Sequence, residues 1–470
     1  MRPKTLLGLF AVVAGLAAFL WFVERDLPGT DERAARAKRL LALEGDVSRL
    51  TIERAGERLV FQRSVADEWR LGEPVDGRAD GSLVDGLVTA LGELDKERTF
   101  DDAEPAELGL DPPRARVTLT AEDGDRTVLV GSEVPASDSM IVAAGAAGPF
   151  HVVSGAFWPD IERPLEDWRV RSVFPGRRDE IAGVTLVDGD RSVSLVSRDG
   201  GYYLEAPLED RADEGTMSRF LDALVDLEAI AFVDDPAAEG DLGLDDSTRR
   251  LEIVLRDADT PWRLELGRPA PVPDEPSEAE EAEAGDASDA VPPRYVRADG
   301  QTYVVPDRLT AALERPAAEW RSLDWTGLQV HEIERLTVED AAGILTLERE
   351  GGDWLRDGVE TEYGPVSDLL YDLVGTKAEA LDAGAAVAGP PLLGLTLDAG
   401  AEELALEVFA PRGDRYPATA SDRSTALWLG GDRVRSLMAR IAEVRAAEAV
   451  VDELEETPSE PGEEASAGSR

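Results

Sequence analysis

One segment recurs three times along this chain, and that recurrence constrains the fold more than any other feature. Trp69, Tyr203 and Trp354 each stand 39 residues before a Leu-Gly-Leu: Leu108-Gly109-Leu110, Leu242-Gly243-Leu244 and Leu393-Gly394-Leu395. The second pair follows the first by 134 residues, and the third follows the second by 151. Repetition on this scale means one folding unit copied, with matched residues filling matched places. The tripeptide alone is weak, since Leu7-Gly8-Leu9 also occurs; the constant separation is the signal. A chain of 470 residues also has room for about three domains of roughly 150 residues each.

Within a copy the pattern is strands, then a helix, then more strands. Leu50-Thr51-Ile52-Glu53 and Arg58-Leu59-Val60-Phe61 alternate around Ala55-Gly56, a hairpin signal. Glu68-Trp69-Arg70-Leu71 reads as a third strand, and Leu83, Leu87, Val88, Leu91 and Leu94 recur at helical spacing. Strands follow at Val117–Leu119, Thr127–Val130, Met140–Val142 and Phe150–Val153. The second copy repeats this order. Arg163-Pro164 through Trp168 recurs as Arg315-Pro316 through Trp320, and His151 matches Tyr303, both at an offset of 152. The third copy runs from Ile333 and closes on a helix over Val434 to Val444.

Charge and composition exclude several classes of function. Asp and Glu number 97 against 49 Lys and Arg, a formal net charge of −48. Such a surface repels phosphate backbones, because nucleic-acid affinity rests on cationic side chains displacing counterions. The absence of cysteine removes disulfides, thiolate metal sites and cysteine nucleophiles.

The N-terminus reads as an address. Leu6 to Val23 is uncharged, with Arg2 and Lys4 before it and Glu24, Arg25 and Asp26 after it. An apolar run of that length approaches the roughly 30 Å hydrocarbon core at about 1.5 Å per helical residue. The basic flank orients Met1 to the cytoplasm. The segment ends Leu20-Trp21-Phe22-Val23 and carries no small-residue cleavage site, so an uncleaved anchor is expected over a signal peptide.

These readings predict an α+β fold: an N-terminal transmembrane helix, then three tandem repeats of mostly antiparallel strands (hairpins and meanders) with one or two packed helices each. The expected divisions are an anchor at 1–26, a juxtamembrane helix at 27–44, repeat 1 at 45–178, repeat 2 at 179–330 and repeat 3 at 331–445. Residues 273–293 form an acidic insertion in repeat 2, and 446–470 an acidic tail. Both are expected to be disordered, having too little apolar surface to fold.

The motif set resembles a bacterial envelope family of unknown function. It rests on the N-terminal apolar segment, Asp46-Val47-Ser48-Arg49-Leu50-Thr51-Ile52, the third-strand Trp69 and Leu108-Gly109-Leu110-Asp111-Pro112-Pro113-Arg114-Ala115-Arg116-Val117. The unit recurs over about residues 40 to 445. The second copy has Asp246-Ser247 in place of Pro-Pro, and the third has Thr396-Leu397. The resemblance implies an auxiliary component encoded beside ABC transporters of the gliding-motility type. It supplies no catalytic residue.

The residues themselves point to no reaction. Trp69, Tyr203 and Trp354 read as core aromatics that close each unit, because shared architecture explains their spacing without a ligand. His151 is replaced by Tyr303 in the next copy, and His331 has no second histidine at the spacing of a zincin helix. No nucleophile elbow, P-loop or dinucleotide fingerprint is present. Asp-Gly-Asp at 123–125 and 188–190 fits hairpin turns better than calcium loops. No catalytic, cofactor-binding or metal-binding set is therefore identified, and no cofactor is expected.

The expected function is a non-enzymatic, membrane-anchored, periplasmic accessory or scaffold protein acting through protein–protein contacts. The expected placement is single-pass in the bacterial inner membrane through residues 6–23, with the bulk of the chain periplasmic. Envelope protein partners, ABC transporter subunits among them, are expected, and nucleic acid is not. The alternatives are a carboxylate-based hydrolase acting on glycans and a cation-binding structural module.

Overall fold

The computed structural model describes residues 38–447, apart from 42, 44, 146–147, 199, 235–241, 246, 272–290, 383–386, 388 and 401–402. In the first repeat β1 (Val47–Arg54), β2 (Glu57–Arg63), β3 (Trp69–Glu73) and β4 (Gly77–Arg78) form a meander. Helix α1 (Gly81–Gly92) and β5 (Arg98–Phe100) follow. A second meander comprises β6 (Ala115–Ala121), β7 (Gly124–Glu133), β8 (Ser139–Ala143) and β9 (Phe150–Ser154), leading into α2 (Trp158–Glu162). These strands pair antiparallel in the order β4-β3-β2-β1-β6-β7-β8-β9-β5.

The second repeat has β10 (Ile181–Asp188), β11 (Arg191–Arg198), β12 (Gly201–Ala206) and β13 (Asp210–Arg211), then α3 (Glu214–Val225) and β14 (Ala231–Val233). It continues with β15 (Arg249–Leu255), β16 (Trp262–Pro269), β17 (Arg294–Ala298), β18 (Gln301–Val305) and α4 (Thr310–Glu314). The third has β19 (Arg335–Asp340), β20 (Gly343–Glu350), β21 (Asp353–Arg356) and β22 (Val359–Glu360), followed by α5 (Tyr363–Val374) and β23 (Ala380–Asp382). It ends with β24 (Leu393–Asp398), β25 (Glu403–Val408), β26 (Arg415–Ala420), β27 (Ala426–Gly430) and α6 (Gly431–Ala446). Both nine-stranded sheets keep the strand order of the first. Their orders are β13-β12-β11-β10-β15-β16-β17-β18-β14 and β22-β21-β20-β19-β24-β25-β26-β27-β23.

The chain divides into two compact units. One is Met1–Val173 with Glu228–Ala237 and Gln301–Val304; the other is Phe174–Leu227, Ala238–Gly300 and Val305–Arg470. In the first unit, Leu50, Ile52, Leu59, Phe61 and Leu71 project from the strands onto Val84, Leu87 and Leu91 of α1. Trp168 lies in the same core, 5.1 Å from the Phe61 ring. In the second unit, Leu336, Val338, Leu345 and Leu347 meet Val366, Leu369, Leu370 and Leu373 of α5 and Val434, Leu437 and Ile441 of α6. Period-two burial on the strands and 3.6-residue burial on the helices give each core one continuous apolar face. The Asp80 carboxylate caps α1 by accepting from the Ser82 and Leu83 amides, and Asp213 caps α3 at Thr216.

Two expectations are corrected. The expected fold class, α+β led by a transmembrane helix, gives way to three predominantly antiparallel nine-stranded sheets carrying short helices. Two- and three-residue strands such as β4, β5 and β13 are too short to show periodicity, so the sequence reading undercounts strands. Among the described residues no helix is long and apolar enough to cross a membrane. The longest, α6, has 16 residues and carries Asp432, Arg433, Arg435, Arg440, Glu443 and Arg445. The segment 6–23 lies outside the described residues, and the single-pass inner-membrane placement is withdrawn with the helix it rested on. The helix expected at 27–44 also falls mostly outside them. At its described end Arg39 bridges Asp95, and the Leu40 amide donates to the Leu94 carbonyl at 2.6 Å. The acidic insertion at 273–293 joins β16 to β17 and lies outside the described residues except for Val291 to Pro293; the tail beyond Ala447 lies outside as well.

The repeat is real, but two of its sequence markers are out of register. Trp69 pairs with Arg63, Tyr202 with Ser197, and Trp354 with Arg349. Tyr202, not Tyr203, therefore holds the place of the two tryptophans. A one-residue shift moves a side chain to the opposite face, and two adjacent tyrosines hide that shift in the sequence. The third Leu-Gly-Leu is likewise not equivalent. Leu393-Gly394-Leu395 lies in β24, paired with Asp340, Glu339 and Val338. The first two lie in loops with Gly109 at φ +68 and Gly243 at φ +71. There the Leu108 and Leu242 carbonyls press onto Gly131 and Gly267 so closely that neither glycine has room for a Cβ.

Candidate functional site

The repeats differ most at the edge that begins each sheet. After β9 the chain makes α2, then a 3₁₀ turn over Leu165–Trp168 that seats Trp168 in the core. Emerging from that turn, Arg169 bridges Ala79 beside β4. The Val170 amide donates to the Arg78 carbonyl at 3.1 Å, and the Asp80 amide to the Trp168 carbonyl at 2.8 Å. The edge is closed further by its surroundings. Gln301 Nε2 reaches the Asp76 carbonyl at 3.3 Å. The Arg169 guanidinium, fully buried, holds Asp234 through two bonds of 2.8 and 2.9 Å and lies 3.7 Å from the Phe232 ring centroid.

The second repeat builds the same joint with a denser ionic centre. Arg321 bridges Ala212, the Ser322 amide donates to the Arg211 carbonyl at 2.9 Å, and the Asp213 amide to the Trp320 carbonyl at 2.8 Å. Asp210, where the first repeat has Gly77, receives Arg321 Nε at 2.5 Å and Arg423 Nε at 2.7 Å. Burial pushes the Asp210 carboxyl up, but the bonds and charges of Arg423 and Arg321 outweigh it and hold it below the ordinary carboxylate value. Arg423 is saturated by the Asp324 and Ser322 carbonyls at 3.0 and 2.7 Å. Arg211 pairs with Asp422, and Ser424 Oγ donates to the Glu209 carbonyl at 2.8 Å. A buried charge survives only when paired and hydrogen-bonded; Asp210 and Arg423 meet both conditions, while Nη2 of the buried Arg321 has no partner.

In the third repeat no described residue covers the corresponding edge. Register places Val359 at the position of Gly77 and Asp210, and Glu360 at that of Arg78 and Arg211. Gly77 and Asp210 are buried, whereas Val359 is 52% exposed. Asp357, Gly358, Glu360 and Glu362 are exposed too. Among the described residues nothing makes the two backbone bonds that the other edges receive, at the Glu360 carbonyl and the Glu362 amide. Thr361 beside them is 4% exposed, and its hydroxyl has no partner. The Arg356 guanidinium is already occupied, capping α6 through the Val444, Arg445 and Ala447 carbonyls. Large apolar side chains are also exposed in this repeat: Ile344 at 66%, Tyr363 at 63% and Tyr371 at 66%.

The residues weighed for chemistry lie elsewhere and apart. His151 sits in β9 opposite Thr99, with its Nδ1 2.9 Å from Thr99 Oγ1. Burial, aided by the Lys96 charge and opposed by Asp101, holds it below its ordinary pKa. Tyr303 takes the same register opposite Phe232. His331 is exposed on a 3₁₀ turn. Asp123 pairs with Arg126, and Asp188 with Arg191 and Arg249, so both Asp-Gly-Asp segments are hairpin turns with paired carboxylates. Among the described residues no three potential ligands gather to hold a metal. A depression of about 330 Å³ lies at the β1–β2 turn, lined by Glu53, Arg54, Glu57, Arg58, Arg114 and Arg116. Its carboxylates are engaged, Glu53 by Arg58 and Arg116, Glu57 by Arg54, so no free acid–base pair lines it.

Sequence reasoning missed the edge, though part of its signal was on the page. Arg-Pro through Trp occurs at 163–168 and at 315–320 and has no third copy. The missing copy falls in the repeat whose edge no described residue covers.

Residues 69–247 match the model of a domain of unknown function (DUF4340). The matched stretch starts in β3 of the first repeat and ends just before β15 of the second, so over that span the chain is similar to an uncharacterised domain family. No curated protein matches it.

Proposed function

We propose that this protein is a non-enzymatic accessory or scaffold protein that works through contacts with other proteins. The observation that carries this reading is the uncovered edge of the third repeat. There, exposed Val359 and Tyr363 flank backbone groups that other elements satisfy in the first two repeats. Exposed sheet edges and apolar surface are what partner proteins use, through main-chain hydrogen bonding and burial. The resemblance carried by the Asp46–Ile52, Trp69 and Leu108–Val117 motifs makes a subunit of a gliding-motility-type ABC transporter one concrete partner to look for. Affinity purification from cells that make the protein, with mild crosslinking, tests the reading. A partner recovered in stoichiometric amount is the expected result; recovery of the chain alone, with and without crosslinking, overturns it.

A further inference from the structure

We propose that the free edge of the third sheet, formed by β22 with Thr361 and Glu362, takes an extended basic segment of a partner protein by strand addition. The inference rests on the protein-contact reading and names the kind of partner. Its warrant is internal to the fold, because the equivalent edge is covered in both other repeats. In each, an extended segment with an arginine as its bridging residue occupies it: Arg169-Val170 on β4 and Arg321-Ser322 on β13. Both segments use the same two main-chain bonds, one to the carbonyl of the last strand residue and one from the amide of the helix-capping residue. The third edge presents those groups at Glu360 and Glu362, with the buried Thr361 hydroxyl unpartnered between them.

Charge selects the occupant. Where the first two edges carry Arg78 and Arg211, the third carries Glu360. It is flanked by Asp357 and Glu362, both exposed and unpaired among the described residues. An extended segment bearing Arg or Lys answers those carboxylates, and its apolar neighbours would cover Val359. The sequence after Ala447 contains Glu448, Asp452, Glu453, Glu455 and Glu456, a charge that does not complement those carboxylates. A backbone edge gives affinity through its ladder, and the side-chain charges give the choice of partner.

The test is fluorescence anisotropy on the full chain. Its probe is a labelled, capped hexapeptide with the sequence of residues 169–174, Arg-Val-Arg-Ser-Val-Phe. Saturable binding is expected. It should weaken about tenfold in Glu360→Lys, where one attractive charge becomes repulsive. It should weaken about fivefold when the second peptide residue is N-methylated, which removes the donor to the Glu360 carbonyl. Absence of binding to the full chain, or equal binding of the methylated peptide, overturns the proposal. So does binding that appears only in a Val450→Asp/Val451→Asp variant, because the edge would then belong to the chain's own C-terminal residues. If Glu360→Lys still co-purifies its partners unchanged, the edge proposal falls while the protein-contact reading stands. If no partner is recovered with either protein, that reading falls as well.

Discussion

Asp210 and Arg423, 213 residues apart in sequence, meet at 2.7 Å with neither side chain exposed. The bond fastens β13 of the second repeat to the β26–β27 turn of the third. Removing Asp210 strands two buried guanidiniums, Arg321 and Arg423. Asp210→Ala is therefore expected to cost about 3–5 kcal/mol, the range for breaking a buried pair from one side. Urea unfolding followed by far-ultraviolet circular dichroism measures it, and a loss below about 1 kcal/mol would contradict it.

The same carboxyl sets a pH dependence. Its folded pKa is depressed, so the unfolded chain takes up the proton first as pH falls. The stabilisation is complete above the unfolded Asp value of about 4 and is lost as pH drops through the depressed folded value. Thermal midpoints of wild type and Asp210→Asn are expected to differ by a constant amount from pH 7 to about 5 and to converge below about 4. A gap that does not narrow there would contradict the assignment.

His151 should act at milder acidity. Its folded pKa lies below the ordinary histidine value, so protonation favours the unfolded chain as pH falls below about 6.5. Tyr303 occupies the equivalent register, so His151→Tyr should fold normally. It should also lose less stability than wild type between pH 7 and 5, read from paired melting curves. Parallel curves would refute this.

The glycines of the three Leu-Gly-Leu segments should not behave alike. Gly109→Ala forces an L-residue to φ +68 and brings its Cβ to 3.1 Å from the Ser132 amide nitrogen. A cost of about 1–3 kcal/mol is expected. Gly394 lies in β24, where the nearest foreign atom to an added Cβ is Glu339 Cβ at 3.7 Å. Gly394→Ala should stay within about 0.5 kcal/mol of wild type. Equal penalties at both sites would show that the third tripeptide is equivalent to the others after all.

The edge makes a contrast within one molecule. Val359→Ser on the open edge should leave stability within about 0.5 kcal/mol, as for other exposed positions. Gly77→Ser at the equivalent covered position must displace Gln301, since an added Cβ lies 2.8 Å from its Oε1. Because the displaced group is the far end of a flexible side chain, that substitution should cost about 1 kcal/mol, the low end for overpacking. Chemical denaturation of the two variants decides it.

The markers that announced the repeat also show where sequence reading stopped. The β1–β2 turn, α1 with Leu87 and Leu91 on its buried face, and the Trp168–Trp320 match all follow from alternation, helical period and a constant offset, whereas the buried Val84 is not among the residues the helical spacing picks out. Leu393-Gly394-Leu395 misled because it stands in β24 where the first repeat has Ala115-Arg116-Val117, and Tyr203 because of strand register. Spacing counts residues along the chain, and a strand's facing is set by its partner, so one inserted residue moves the side chain across the sheet. The apolar run at 6–23 lies outside the described residues, and among those no helix is long and apolar enough to cross a membrane.

The chain's own pattern was enough to show three copies of one unit with antiparallel strands, cores rich in leucine and valine, and the lack of any recognisable catalytic motif, though it read the class as α+β. Those follow from local preferences and periodicity, which are written residue by residue. Only the tertiary structure decided that Asp210 would face Arg423, that Tyr202 would replace Tyr203, and that β22 would have no cover among the described residues. The Asp210–Arg423 pairing joins residues 213 apart, and even the local Tyr202–Ser197 pairing is settled by strand register. Their energy depends on burial and on the geometry of both partners at once, and neither quantity exists until the chain has folded.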